Sequence, residues 1–211
     1  MAPVSGSRDG AGDRREGRTG GAPSRGAAGG RGAASGDVLL RTARLRMRRV
    51  RADDLALFER VFCDPGMMRH LGAPWTHALA EETLREWMDA WGGDSSYSYG
   101  VLVTRRGGVT VGIAGISEDT DPEEKGVELS WFILPEHQGR GYATEIGEGL
   151  MEFVFRRLGR SRMVAETHPD NVAAAAVLRK MGWRPVKERR RTIDYLPHMD
   201  RQVVWEYVRD V

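Results

Sequence analysis

The stretch with the clearest chemistry is Gln138-Gly139-Arg140-Gly141-Tyr142-Ala143. Two glycines flank an arginine just before a run with helical spacing. Glycine lets a backbone turn sharply and approach a ligand closely. The first N–H groups of a helix have no internal partner and lie at the positive end of its dipole, so an anion is favoured there. Arg140 adds a full positive charge. Physically, the segment is a cradle for a diphosphate. A glycine-rich turn that holds nothing is the plain alternative, and the six residues alone leave both open.

A cradle needs elements to hold it. Gly126–Leu134 reads as a strand before the loop, Tyr142 to about Leu158 as a helix after it, and Arg162–His168 as a second strand. Ala143, Ile146, Leu150 and Val154 give the helix its inward face. These pieces make one βαβ unit, whose two strands should be parallel. Asn171 to Met181 follows as a helix stopped by Gly182. Arg184–Thr192 and Arg201–Arg209 close the chain as strands around a loop with Tyr195, Pro197 and His198.

Upstream, Val38–Val50 alternates apolar and basic residues and predicts one half-buried strand. Ala52–Phe62 switches to helical spacing, with Leu55, Phe58 and Phe62 on one face and Asp53 or Asp54 as cap. Asp64-Pro65-Gly66 is a breaker, and a second helix is predicted over Leu79–Trp91, ended by Gly92-Gly93. Tyr97–Thr104 and Val109–Ser117 read as strands joined by the hairpin signal Arg105-Arg106-Gly107-Gly108. The charged turn Asp119–Lys125 leads to the third strand, so these three should be antiparallel neighbours.

The chain has 211 residues and a formal net charge of +2. Residues 1–36 hold six Arg against three acids, a net +3, which leaves −1 for the rest. Those 36 residues also hold 11 of the 27 Gly, with Met1 and Val4 as their only sizeable apolar side chains. They predict a disordered tail, followed by one folded domain over residues 37–211. Arg25-Gly26 and Arg31-Gly32 are too few such pairs to predict nucleic acid as a partner. No apolar run predicts a membrane span or signal peptide, and a cytoplasmic protein is expected. The single Cys63 excludes an internal disulfide and a cysteine-rich metal site. His70, His77, His137, His168 and His198 show no metal-like pairing, so no metal is expected.

The ordered motifs resemble the GCN5-related N-acetyltransferases, most of all their RimJ/RimL-like branch. That family's diphosphate motif, Gln/Arg-x-x-Gly-x-Gly/Ala, is met by Gln138, Gly141 and Ala143. The branch continues Ala-Thr-Glu, as do Ala143-Thr144-Glu145. A later Asn-x-x-Ser/Ala…Lys-x-Gly-Phe/Trp pattern is met by Asn171, Ala174, Lys180, Gly182 and Trp183. The opening Leu-x-Thr-x-Arg-Leu is met by Leu40, Thr42, Arg44 and Leu45. A dinucleotide-binding Gly-x-Gly-x-x-Gly is matched less well, because Thr144 replaces its third glycine and three strands precede it.

The resemblance implies an α/β fold (mixed α+β). Its sheet would be mostly antiparallel with six to seven strands, a splayed parallel pair and about four helices. It implies acetyl-CoA as cosubstrate and a primary amine, on a protein N-terminus or a small molecule, as acceptor. It also admits a homodimer. The diphosphate would rest on the N–H groups of Gly139, Arg140, Gly141, Tyr142, Ala143 and Thr144. The pantetheine would pair with a bulged backbone at Phe132, Ile133 and Leu134, and Asn171 would reach the cosubstrate from the last helix.

An amine attacks a thioester only when neutral. An α-amine with a pKa near 8 is partly so at neutral pH, whereas a lysine near 10.4 has only about one part in a thousand neutral. A base therefore helps. The resemblance points to Glu128, with Glu118 and His168 as weaker candidates and His137 on the surface. Oxyanion donors would be backbone N–H groups at Phe132 or Ile133. Relatives often carry a hydroxyl on the last helix to protonate the leaving thiolate, but here Ala174, Ala175 and Ala176 stand there. Tyr195 or a water is then the candidate acid, or turnover is slow, and a non-catalytic acyl-CoA-binding module is the alternative. Trp75, Trp91 and Tyr195 are candidates for the acceptor pocket.

Overall fold

The structure is a computed structural model that describes residues 36–91, 98–118, 126–190 and 201–208. The tail through residue 35, the turn 119–125 and the loop carrying Tyr195, Pro197 and His198 lie outside the described residues. Among the described residues eight strands form one sheet: β1 (Val38–Arg41), β2 (Leu45–Arg49), β3 (Ser98–Thr104), β4 (Thr110–Glu118), β5 (Val127–Ile133), β6 (Arg162–Thr167), β7 (Arg184–Arg190) and β8 (Arg201–Val208). Their spatial order is β1-β2-β3-β4-β5-β6-β8-β7.

This is more than the six to seven strands expected. The extra one comes from Val38–Val50, which is a hairpin rather than a single strand. The chain reverses at Thr42–Arg44, where the Thr42 N–H donates to the Leu45 carbonyl at 2.9 Å, and Val38 pairs with Arg48. The alternation survives on both sides of the turn, which is why the sequence pattern does not reveal it.

Every neighbouring pair is antiparallel except β5 and β6. This parallel pair is joined only at Val127–Met163 and Glu128–Val164. Beyond Glu128 the strands part, so a wedge opens toward the C-terminal end of β5. The expected bulge in β5 is not there. Its register with β4 runs unbroken from Val127 to Ile133, and the irregularity falls instead between β3 and β4, beside Leu102 and Val103.

The sheet divides the core in two. On one face α4 (Tyr142–Arg157) and α5 (Val172–Lys180) bury Ile146, Leu150, Val154 and Leu178 against Leu102, Ile116, Leu129 and Trp205. On the other, Leu57, Phe58, Phe62, Met68, Leu84 and Trp87 pack on Val101, Val103 and Ile113. These belong to α1 (Leu55–Phe58), α2 (Pro65–Met68), α3 (His77–Ala90) and the turns between them.

The predicted Ala52–Phe62 helix is a composite. A 3-10 turn (Ala52–Asp54) precedes α1 and a π-helical turn (Glu59–Cys63) follows it. Asp54 anchors the start by taking a bidentate contact from Arg48 (2.8 and 2.7 Å) and the Arg51 N–H (2.8 Å). The Asp64-Pro65-Gly66 breaker itself starts α2. Pro65 suits a first helical position, and the Asp64 carboxylate accepts the Met67 N–H at 2.8 Å.

Candidate active site

A cavity of about 660 Å³ runs through the wedge between β5 and β6. One end is walled by the glycine loop and by Ala173, Ala174 and Ala176 of α5. The other is walled by Asp64, Met67, Arg69, His70 and Leu71 around α2. Ser130, Trp131 and Phe132 of β5 and Ala165, Glu166 and Thr167 of β6 line the passage. The cavity thus joins the two faces of the sheet.

At the first end, Gly139 and Gly141 have φ of +70° and +77°, a left-handed conformation that strains any other residue. A Cβ at Gly139 would meet nothing within 4 Å. Gly141 is the N-cap of α4 and supplies no side-chain bond to the first turn. The first N–H groups of α4 therefore open at the cavity with the helix dipole behind them.

A carboxylate in that turn would oppose a bound anion, and Glu145 is there. It is neutralised from the β1–β2 turn: the Arg44 guanidinium donates to it at 2.6 Å, the Arg44 backbone N–H at 2.7 Å and the Thr42 hydroxyl at 2.5 Å. Partial burial would raise the Glu145 pKa, but these bonds outweigh it and hold the group below its ordinary value. Arg44 also stacks over the Tyr142 ring at 4.8 Å and donates to the Arg140 carbonyl at 3.0 Å. Residues about one hundred positions apart thus rigidify the loop.

These features suit a diphosphate ligand. His137 adds to the fit, since it is half-buried, lines the cavity, and leaves its buried Nδ1 without a hydrogen-bond partner among the described residues. The expectation of a surface histidine there is corrected by this placement.

At the other end, His70 and His168 stack at 5.9 Å between ring centroids. Burial lowers the His70 pKa, helped by Arg69 and His168 and opposed by Asp170. The His168 Nδ1 accepts the Asp170 N–H at 3.2 Å. Phe62 stacks on Trp75 at 4.2 Å and meets Phe132 edge-on at 5.1 Å. Trp75 and Trp91 are half-buried but do not line the cavity; Trp131 and Phe132 do.

The sequence profile of the acetyltransferase (GNAT) domain matches residues 44–184, two thirds of the chain. The chain belongs to this family. By family it is an acetyl-CoA-dependent acyltransferase. It is 32% identical over 57 residues to an uncharacterized N-acetyltransferase, YnaD, of Bacillus subtilis, a stretch covering 27% of this chain and 34% of that relative. Its fold resembles a GNAT-family acetyltransferase from Bacillus anthracis, with a TM-score of 0.68, 16% identity, and 80% and 97% of the two chains covered. It also resembles RimL, a ribosomal L7/L12 alpha-N-protein acetyltransferase solved with coenzyme A, with a TM-score of 0.65, 16% identity, and 81% and 97% covered.

Within this GNAT domain, Ile133, Gln138, Gly139, Gly141, Tyr142, Ala143, Thr144 and Asn171 all line the cavity, as does Phe132. Gln138 does so while its amide donates to the Ile133 carbonyl at 2.9 Å, tying the loop to the end of β5. Asn171 caps α5 by accepting the Ala174 N–H at 3.1 Å, which leaves its amide nitrogen as the group that can reach a ligand. Two candidates fall elsewhere. Arg140 is exposed and outside the lining, and Leu134 is buried in the core beneath α1–α3.

Glu128 is half-buried at the last paired position before the wedge. It lies on the α1–α3 face and is not itself in the lining. Glu118 is exposed at the end of β4, 3.9 Å from Arg160. Tyr195 is outside the described residues.

Sequence reasoning missed the Thr42–Arg44–Glu145 clamp, although its residues were quoted as motifs. It also missed Thr167, a cavity hydroxyl whose oxygen accepts the Trp205 N–H at 2.8 Å. Burial and Glu59 raise the Cys63 pKa, the opposite of what an activated thiolate needs.

Proposed function

We propose that the chain transfers an acetyl group from acetyl-CoA to a primary amine by direct attack. Acetyl-CoA supplies the activated acyl carbon. The loop Gly139–Thr144 would hold its diphosphate, with the pantetheine arm running into the wedge beside Phe132 and Ile133. The amine would arrive from the α2 end, between His70, His168 and the aromatic wall. Glu128 would be the base that removes the amine's proton, and the Phe132 or Ile133 N–H would stabilise charge on the acyl oxygen.

The observation that carries this reading is the cavity that crosses the sheet. A cosubstrate held at the α4 end and an amine held at the α2 end would meet at the splay. The acceptor would be a protein N-terminus or a small-molecule amine, and RimL, which shares the fold, acts on the former by its name. The domain 37–211 would act alone, with residues 1–36 as an appended tail.

A second reading, an acyl-CoA-binding module without turnover, is favoured by Ala173, Ala174 and Ala176, which present no hydroxyl to the cavity. A thiol pKa of about 8.5 makes a thiolate a competent leaving group, so an acid helps without being essential. Thiol release from acetyl-CoA, measured across a panel of amines and peptides, separates the readings. Acetylation predicts release that Glu128→Gln slows at pH 7, about tenfold for an α-amine and more for a more basic amine, while acetyl-CoA affinity holds. Tight acetyl-CoA binding with no release on the whole panel would establish the module instead.

A further inference from the structure

Glu128 has a problem of reach. It sits on the amine-side face of β5 but outside the cavity lining, whereas Ser130, two residues on and on the same face, is inside it. What lies between them is set by three strands. Tyr99 of β3, Gly115 of β4 and Ser130 of β5 stand in one row across the sheet, and Ser117 and Glu128 stand in the next. Gly115 is the opening that matters. A Cβ there would lie 2.5 Å from Cγ and 2.6 Å from Cδ1 of the Tyr99 ring. With no side chain at 115, the ring lies flat across β4, with Trp87 stacked on it at 4.2 Å and 24°. Its hydroxyl is carried over to β4 and β5, where it is hydrogen-bonded to Ser130 and Ser117 and lies within range of the Glu128 charge.

We propose that Ser130, Tyr99 and Ser117 form a proton relay that connects the cavity to Glu128. This rests on the acetylation reading above. In the relay step an ammonium acceptor gives one proton to Ser130 Oγ. Ser130 passes its own to Tyr99 Oη, Tyr99 passes its own to Ser117 Oγ, and Ser117 passes its own to the Glu128 carboxylate. The amine is left neutral and Glu128 becomes a carboxylic acid, which later returns its proton to solvent. No bond to carbon changes.

The Tyr99 hydroxyl suits the task. Burial first, and then the Glu128 charge, raise it to about 12 against the opposing bonds from Ser130 and Ser117. It therefore stays protonated at every pH where the amine titrates. Ser117 and Glu128 are directly opposite across β4 and β5, a spacing at which side chains meet. Trp87 covers the Tyr99 ring on the helical side, and Phe62 packs between Trp87 and Phe132.

The test is the pH dependence of acetylation by the full chain, with the panel amine or peptide that the wild type acetylates fastest. Tyr99→Phe keeps the ring on Trp87, and Ser130→Ala alters a different strand. Each should lower kcat/KM at pH 7 by as much as Glu128→Gln does, about tenfold for an α-amine and more for a more basic amine, with acetyl-CoA affinity unchanged. The deficit should shrink to less than about twofold once the pH exceeds the amine's pKa, where no base is needed. Ser130→Thr, which keeps a hydroxyl, should restore most of the rate. The double variant should be no slower than the slower single, because a broken chain cannot break twice. A loss equal at every pH, or no loss at all, in an active enzyme would overturn the relay and leave the acetylation reading intact. A wild type that binds acetyl-CoA but releases no thiol would overturn that reading, and the relay with it.

Discussion

The two ends of the cavity are built in different ways. The α4 end is made of backbone: glycines at φ +70° and +77°, and N–H groups at a helix start. The α2 end is made of side chains brought together from far apart: His70 beside His168, and Phe132 backed by Phe62 and Trp75, with Tyr99 reaching across Gly115 to Ser130 behind the wall. The first end can serve one constant ligand, since a diphosphate needs only donors and positive charge. The second can vary without disturbing the first. A family that keeps one cosubstrate and changes its acceptor needs that division.

The sharpest way to break the comparison is at Gly141. Gly141→Trp should weaken acetyl-CoA binding at least about a hundredfold by calorimetry, with the indole filling the mouth of the cradle. The left-handed backbone at this position should cost only about 1–2 kcal/mol of stability. Unchanged affinity would mean that the backbone end is not the cosubstrate end.

Asp54→Ala attacks the opposite side. It leaves the half-buried Arg48 guanidinium and the Arg51 N–H without their acceptor. Stability should fall by about 3 kcal/mol in urea unfolding. Acetyl-CoA should still bind, because Asp54 belongs only to the α1–α3 layer. Equal damage to stability and affinity would show that the two ends are not separable.

Glu145→Gln sharpens the comparison with a smaller effect. It weakens the clamp between the β1–β2 turn and the loop, and acetyl-CoA affinity should drop several-fold. The pH dependence carries a sign. The folded pKa of Glu145 lies below its ordinary 4.5. Its contribution to stability is therefore complete above about pH 4.5 and is lost as the pH falls through the lowered value. The variant should show a flatter acid limb than the wild type; identical limbs would remove Glu145 from the account.

The same division decides what was legible in the sequence. The loop 138–144 could be read because its chemistry is local: two glycines, an arginine and a helix start, all consecutive. The βαβ unit followed from short links and helical spacing, so the parallel pair was foreseen. The β1–β2 turn was missed because alternation continues across it. Arg44 and Glu145 were visible only as motif letters, since nothing in their spacing says that they meet. Tyr99, Ser117 and Ser130 carry no signal at all. Their meeting depends on a strand register and on the absence of a side chain at Gly115, which a single sequence shows only as one more glycine in a strand. The splay itself was legible only through the resemblance, and the bulge expected with it was not found in β5.

The central claim is that the cosubstrate occupies the backbone end and the amine the side-chain end. Hydrogen exchange of backbone amides with and without coenzyme A tests it directly. The account predicts slowed exchange at Gly139–Thr144 and along the C-terminal half of β5, with Gly66–Leu71 unaffected until an acceptor is added. Protection confined to Gly66–Leu71, with Gly139–Thr144 exchanging as in the free protein, would contradict it.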